Sequence, residues 1–559
     1  MFDEIIRVRK RVIPPYIKRV IRNLMSPFPL PLGMKLMFSS SLSTAEKQSM
    51  IQRLMNQHRA SKKREKILFW RGPSRGSIQV EVIIALSLKL RGYDVQFVLC
   101  DGALSGCIQR GFNKESLENW HKQCPNCVQF GADEIKSLGL SFVGIGDFVS
   151  SQKRKELRNL CDSIPDNEFD SYEYKGVPVG LFAKTAVERY LRGHDYKDHK
   201  KILIEYLYSA LVCTDASISA LNQLKPSRIF MQQHDFYPGW APALRIAHKA
   251  GLPIVFWGGG VYDDGGIGFR HAKDTQFKNL HSISDKFWHQ RSARSLIKSE
   301  DKALNNYIDD MYSKRQTHGV QKSDKYNSKE KLLIALDIQN NKPVWCIFAH
   351  VTWGEAANME PGIYDDTVSW IINTVRIISE VKNVNWLIKA HPAERENTKK
   401  GVISVIQKNF PKLKENIKFI SAKSDISLQD LLPILSGGVT ISGSPGLELA
   451  IRGIPSILTG QAQYYERKGF TYDPSNQEEY AKLLNKANRI GPLSQNQVKL
   501  ARQYTYSLFF QRRIPMNMSV SASRFAPLDF RKLDLLLPGR DKAVDMICDR
   551  IIDGGEFIL

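Results

Sequence analysis

An α/β chain of two successive Rossmann-like domains, each with a parallel sheet, is the fold class this sequence predicts, and three observations lead there. Short apolar runs of strand length alternate with helical spacing, first from Lys66 and again from Lys342. Gly-, Pro- or Ser-rich turns close several of those runs. A polar stretch from Tyr307 to Lys331 separates the two series. At 559 residues the chain exceeds one ordinary core, which agrees with two domains facing across a cleft.

The first series begins after a polar helical stretch, Ala45 to about Lys66. "KILFW" reads as a strand, "RGPSRGS" as its turn, "IQVEVIIALSLKLRGY" as a helix with a glycine stop, and "DVQFVLC" as the next strand. "PSRIFMQQ", "PALRIAHKAG" and "LPIVFWGGG" repeat the theme. The second series runs "KPVWCIFAH", "TVSWIINTVRIISEV", "NVNWLIKAHP", "NIKFIS", "SLQDLLPIL", "GVTISG", "LELAIRG" and "PSIL". The expected division is a basic N-terminal segment (1–63), a first domain (64–306), a linker (307–331), a second domain (332–490) and a helix-and-loop tail (491–559).

Hydrophobic residues make up 42% of the chain and charged residues 25%, as in folded globular proteins. The 80 Lys and Arg against 57 Asp and Glu leave a net charge of +23, which favours anionic partners. No zinc-finger, homeodomain or RNP-type signature accompanies that charge, so nucleic acid is not an expected partner. With neither a long uncharged apolar run nor a signal-peptide core, the expected location is cytoplasmic. The opening "MFDEIIRVRKRVIPPYIKRVIRNLM" carries Arg7, Arg9, Lys10, Arg11, Lys18, Arg19 and Arg22. Its apolar residues fall on one helical face, which suits an anionic membrane surface or packing on the protein itself.

The candidate chemistry lies mainly in the second series. In "LIKAHPAE", Lys389, His391 and Pro392 directly follow a strand, where the ligand crevice of an open parallel sheet forms. A lysine as a point charge and an imidazole as a donor both suit phosphate oxygens. In "TISGSPGLELAIRG", Ser442, Gly443 and Ser444 end a strand, Pro445 suits a first helical position, and Glu448 lies in the first turn. Hydroxyls, open N–H groups and the positive helix end would converge on a phosphate there, with Glu448 accepting from ribose hydroxyls. Each motif also has a plain structural reading, as a solvated loop histidine and as a carboxylate complementing a helix dipole.

These two stretches, "NVNWLIKAHPAE" and "TISGSPGLELAIRGIPSILTGQAQYYERKGFTYD", together with "FAHVTWGE…TVSWIINTV", resemble the capsule polysaccharide biosynthesis glycosyltransferases. That family includes bacterial Kdo transferases and is similar in plan to sialyltransferases with a His-Pro motif. The resemblance implies a GT-B fold whose C-terminal domain binds a nucleotide-sugar donor. His391 matches the His-Pro motif, Ser442 and Ser444 the serine motif, and Glu448 the acidic residue that follows. Pro445 departs from the serine motif and leaves donor preference unassigned. A saccharide or lipid-linked saccharide acceptor is implied, and no cofactor is required for catalysis.

The acceptor and any general base are expected in the first domain. Asp101, His234 and Asp235 stand near strand ends, and each could instead serve a loop. Asp263 and Asp264 are further from any strand end, and Arg71 or Arg75 could line the cleft. Cys100, Cys107, Cys124 and Cys127, with His121 nearby, have the look of a structural zinc or iron–sulfur site. Three other readings share the donor pocket or the fold: transfer of a polyol phosphate from a CDP-linked donor, nucleotide-sugar epimerisation, and a non-catalytic capsule-assembly scaffold.

Overall fold

The computed structural model describes residues 42–559 other than 59, 62, 64, 73–76, 110–123, 193–195, 235–236, 260–265, 273–281, 315–325, 327, 339–340, 354–361, 396–397, 399–400, 461, 463, 465–468 and 522–524. The basic helix expected in the first 25 residues lies outside them, as do Arg75, His121, Asp235, Asp263 and Asp264.

The first sheet contains β1 (Lys66–Arg71), β2 (Asp94–Leu99), β3 (Phe142–Gly144), β4 (Arg228–Gln232), β5 (Ile254–Gly259) and β6 (Gly266–His271). β1 is central because its run is buried on both faces, as a strand covered by helices must be. β2 and β3 extend the sheet in parallel on one side, and β4 and β5 on the other. β6 then pairs antiparallel with β5. Ile78–Leu90 covers one face, and Val179–Leu191, Lys200–Leu224 and Ala241–Lys249 cover the other.

Residues Lys197–Leu224 form a helix long and apolar enough to cross a membrane, a feature the composition did not announce because Glu205 and Asp215 interrupt it. In the fold 67% of its most apolar window is buried, between Val179–Leu191 and Ala241–Lys249. It is the central helix of the first core.

The second sheet comprises β7 (Val344–Phe348), β8 (Asn385–Lys389), β9 (Ile417–Ile420), β10 (Leu435–Thr440) and β11 (Ser456–Leu458), in the order β11-β10-β7-β8-β9. All its pairings are parallel. β8 and β9 build outward from one side of β7, and the chain then crosses to the other side for β10 and β11. The winding therefore reverses between β7 and β10, which opens a crevice at the carboxyl ends of those two strands. Two sheets of this kind in succession are the GT-B plan expected from the sequence.

Two crossings join the sheets. Asp285–Ser292 and Lys298–Lys314 pack against Gln495–Tyr506, and Leu304 and Ile308 are buried with Leu447, Leu458 and Tyr464. The polar stretch from Tyr307 thus begins inside a helix, held by an i, i+4 apolar pair that its composition conceals. After Tyr506 a single wide helical turn, Ser507–Gln511, leads back to β12 (Ile514–Pro515), which pairs antiparallel with β6. Lys542–Asp553 then closes the first core with Val544, Ile547 and Ile551. Buried Arg512 pins the crossings together, donating to the carbonyls of Ser282 (3.1 Å), Phe557 (3.1 Å) and Phe269.

One cleft expectation is corrected here. Arg71 is buried at the end of β1 and pairs with Glu81 on the following helix, Nη1 to Oε2 2.7 Å. Trp257 of β5 donates to the other carboxylate oxygen at 3.0 Å. A guanidinium this dehydrated has to keep its carboxylate, so it cannot also reach a ligand in the cleft. Replacing Arg71 by Met strands Glu81 in the core and is expected to destabilise the first domain by about 3–5 kcal/mol. Urea unfolding should show most of that loss recovered in the Arg71→Met/Glu81→Leu double variant.

Candidate functional site

Parallel register assembles the site. Phe348 of β7 lies opposite both Thr440 of β10 and Lys389 of β8. Two residues further along each strand stand His350, Ser442 and His391, so the three arrive together at the reversal point. The imidazoles of His350 and His391 lie near-parallel, with ring centres 6.4 Å apart.

His350 is the principal residue that sequence reasoning missed. It was visible in "FAHVTWGE" as the second residue past a strand, the same relation that drew attention to His391. The Ser442 N–H points at its Nε2 at 3.4 Å, and the Thr440 hydroxyl lies at 3.5 Å. Gly443 N–H donates to that hydroxyl at 3.2 Å. Two of the amides expected to stand open for a ligand therefore close the turn onto His350 and Thr440. Dehydration beneath this turn pushes the His350 pKa down to about 4, so the ring is neutral at pH 7.

His391 is set by the turn Pro392–Arg395, in which Ala393 N–H donates to its Nδ1 at 3.1 Å. With Nδ1 accepting, a neutral ring carries its proton on Nε2. Glu394 in the same turn accepts from Val402 N–H at 3.1 and 3.2 Å, and burial raises its carboxyl pKa to about 7.

Ser444 precedes the short helix Pro445–Ala450 and donates through its hydroxyl to Glu448 Oε1 at 2.8 Å. One carboxylate oxygen of Glu448 is thereby held, with the group kept at the turn. From below, the buried Tyr464 hydroxyl donates to the Gly443 carbonyl at 2.5 Å. A Cβ on Gly446 would come within 2.3 Å of that hydroxyl, so glycine is needed for the two to approach.

Lys389 does not meet this crevice. It is buried on the opposite sheet face and donates to the Ile426 carbonyl at 2.6 Å, and burial lowers its pKa. Strand alternation is the reason: Trp386 and Ile388 face one core and Leu387 faces the other, with Lys389. Lys389 is a positioning residue for the 426 loop, not a phosphate ligand.

In the first domain, Asp101 accepts from Ala103 N–H (3.3 Å) and Gly146 N–H (3.1 Å), tying the loops after β2 and β3. Gly144 and Gly146 are small because a Cβ on either would lie 2.5 Å from its Oδ2. His234 packs against Tyr237 and Trp240, with ring centres 5.7 and 4.5 Å away.

The cysteine cluster is also corrected. Among the described residues no group of three or more His, Cys, Asp and Glu side chains is arranged to hold a metal. Cys100 is buried at the end of β2, where dehydration raises its thiol pKa to about 12, while Cys107, Cys124 and Cys127 are half-buried.

An open pocket lies between the domains, with Arg189, Tyr190, Arg192, Tyr206 and Tyr237 on one side and Trp353 on the other. Trp353 is only three residues beyond His350.

No family model matches the chain, and no curated protein matches it. Among solved structures it is similar to the β-Kdo 2,4-transferase KpsC of Thermosulfurimonas dismutans, at 16% identity over 49% of this chain and 79% of that one, TM-score 0.32. Spinosyn rhamnosyltransferase SpnG is 10% identical over 79% and 96%, TM-score 0.24. UDP-GlcNAc 2-epimerase from Neisseria meningitidis, bound to UDP-GlcNAc, is 12% identical over 78% and 97%, TM-score 0.24.

The lowered pKa of His350 has a testable sign. Between its folded value near 4 and the ordinary 6.5, the unfolded chain holds the proton and the folded chain does not. Stability from this group is therefore full above pH 6.5 and falls as the pH drops towards 4, by on the order of 3 kcal/mol. Urea midpoints of wild type and His350→Gln across that range should converge at low pH. Glu394 contributes an opposite trend that is common to both proteins and cancels in the comparison.

Proposed function

We propose that this protein is a glycosyltransferase that takes a sugar from a nucleotide-sugar donor and adds it to a growing surface or capsular polysaccharide or glycolipid. The observation that carries the reading is the meeting of His350, His391, Ser442–Ser444 and Glu448 at the reversal point of an all-parallel sheet. Open α/β sheets bind their ligands at such a point.

In this reading the diphosphate of the donor lies across the turn after β10. His391 donates from Nε2, the Ser442 hydroxyl donates beside it, and the start of the helix Pro445–Ala450 adds its positive end. Neutral His350 fixes the turn without adding charge to it. Glu448, steadied by Ser444, accepts from ribose hydroxyls. As the glycosidic bond to phosphate breaks, negative charge grows on the leaving diphosphate, and fixed donors stabilise it more in the transition state than in the ground state. The acceptor would approach this turn from the side of the first domain. A basic N-terminal helix resting on an anionic membrane would keep the enzyme near a lipid-linked acceptor.

Calorimetric titration with CMP, CDP, UDP and GDP tests the donor site. One nucleotide is expected to bind selectively, and His391→Ala and Ser442→Ala should each weaken it by roughly ten- to a hundredfold, the worth of a hydrogen bond to a charged group. No binding of any nucleotide by folded protein would remove the reading.

A further inference from the structure

We infer that Tyr464 is a positioning residue of the donor site: from the core, its hydroxyl holds the Gly443–Ser444 peptide so that the Ser444 N–H faces the crevice and meets a phosphate oxygen of the nucleotide. The inference rests on the proposed glycosyl transfer and deepens it, by naming the backbone donor that meets the phosphate and the side chain that aims it.

Peptide geometry is the first argument. The Tyr464 hydroxyl donates to the Gly443 carbonyl at 2.5 Å. Tyr464 is 2% exposed and packs among Leu447, Leu458 and Phe470, whereas Gly443 and Ser444 are half-buried. The carbonyl therefore points inward. In a planar trans peptide the following N–H points the opposite way, and among the described residues no peptide bond is cis. The Ser444 N–H is thereby turned outward, to the open side of the turn.

The neighbouring donors are the second. Ser442 N–H meets His350 at 3.4 Å, and Gly443 N–H meets the Thr440 hydroxyl at 3.2 Å. Leu447 and Glu448 N–H both donate to the Ser444 carbonyl at 3.1 Å, and Gly446 N–H lies against the Tyr464 hydroxyl. Pro445 has no N–H to offer. The Ser444 N–H donates to no group among the described residues. Its own hydroxyl is taken by Glu448 at 2.8 Å, so the amide is what Ser444 has left for an anion. A backbone donor already held in place needs no reorganisation as charge grows on the leaving phosphate.

Fit is the third. A Cβ on Gly446 would lie 2.3 Å from the Tyr464 oxygen, so a glycine there is what lets the hydroxyl reach the turn. Burial raises the Tyr464 pKa well above its ordinary value, so the hydroxyl keeps the proton it donates. A buried phenol needs an acceptor in any protein, which accounts for the hydrogen bond alone. It does not account for an open amide on the far side of the same peptide.

Labelling glycine carbonyls with 13C and serine nitrogens with 15N isolates the test, because the chain has two Gly–Ser pairs, ending at Ser77 and Ser444. Ser444→Ala removes one of the two amide resonances and so assigns both. CMP, CDP, UDP and GDP are each titrated into the full chain, and the nucleotide that binds should move the Ser444 amide proton downfield. Tyr464→Phe should weaken that nucleotide by about tenfold and remove most of the downfield shift at saturation. Gly446→Ala keeps the phenol but crowds its hydroxyl, and should reproduce both effects, which covers a Tyr464→Phe protein that fails to fold. An unmoved Ser444 amide in nucleotide-saturated wild type would overturn the inference and leave the donor site standing. So would a folded Tyr464→Phe or Gly446→Ala protein that matches wild type in affinity and shift. Absence of binding by all four nucleotides would overturn the transfer reading itself, and this inference with it.

Discussion

The parallel pairing of β10 against β7 is the constraint on which the site depends. Parallel neighbours cannot be joined by a tight turn, so each strand is reached by a crossover and all carboxyl ends share one edge. Thr440, Phe348 and Lys389 lie abreast, and everything two residues beyond them is brought together. Glycines make this approach possible. A Cβ on Gly437 would sit 2.4 Å from the Trp345 ring, and one on Gly438 would sit 2.4 Å from Leu449 of the following helix. Side chains there would push β10 off β7 or the helix off the sheet, and either shift would carry Ser442 away from His350.

Burial then decides which groups around that edge carry charge. His350 loses its affinity for a proton, Lys389 is lowered by dehydration, and Glu394 is raised towards neutrality. The common cause is the cost of holding charge away from water. What remains at the crevice is a set of oriented neutral donors and one carboxylate steadied by a serine.

The first domain also shows how polar groups near strand ends can be absorbed by the scaffold. Arg71, Asp101 and His234 all follow strands, as His391 does. Arg71 closes on Glu81, Asp101 on two backbone amides, and His234 on aromatic rings. Position after a strand was therefore a necessary signal without being sufficient. Partners ten residues away, as for Arg71, or forty-five, as for Asp101 and Gly146, decide between a ligand contact and a tie.

By itself the sequence determined the two α/β series, most of their strands, and the placing of His391, Ser442 and Ser444 at strand ends with Glu448 in the helix that follows. Those features are local, written in apolar periodicity and turn residues, and survive without knowledge of neighbours. Tertiary structure alone decided that Lys389 faces a core and that His350 joins the candidate site. It also decided that the tail returns through Arg512 and Ile514 to finish the first sheet. The physical reason is the same in each case. Which face of a strand is buried, and which charges lose their water, depend on contacts between segments far apart in the chain.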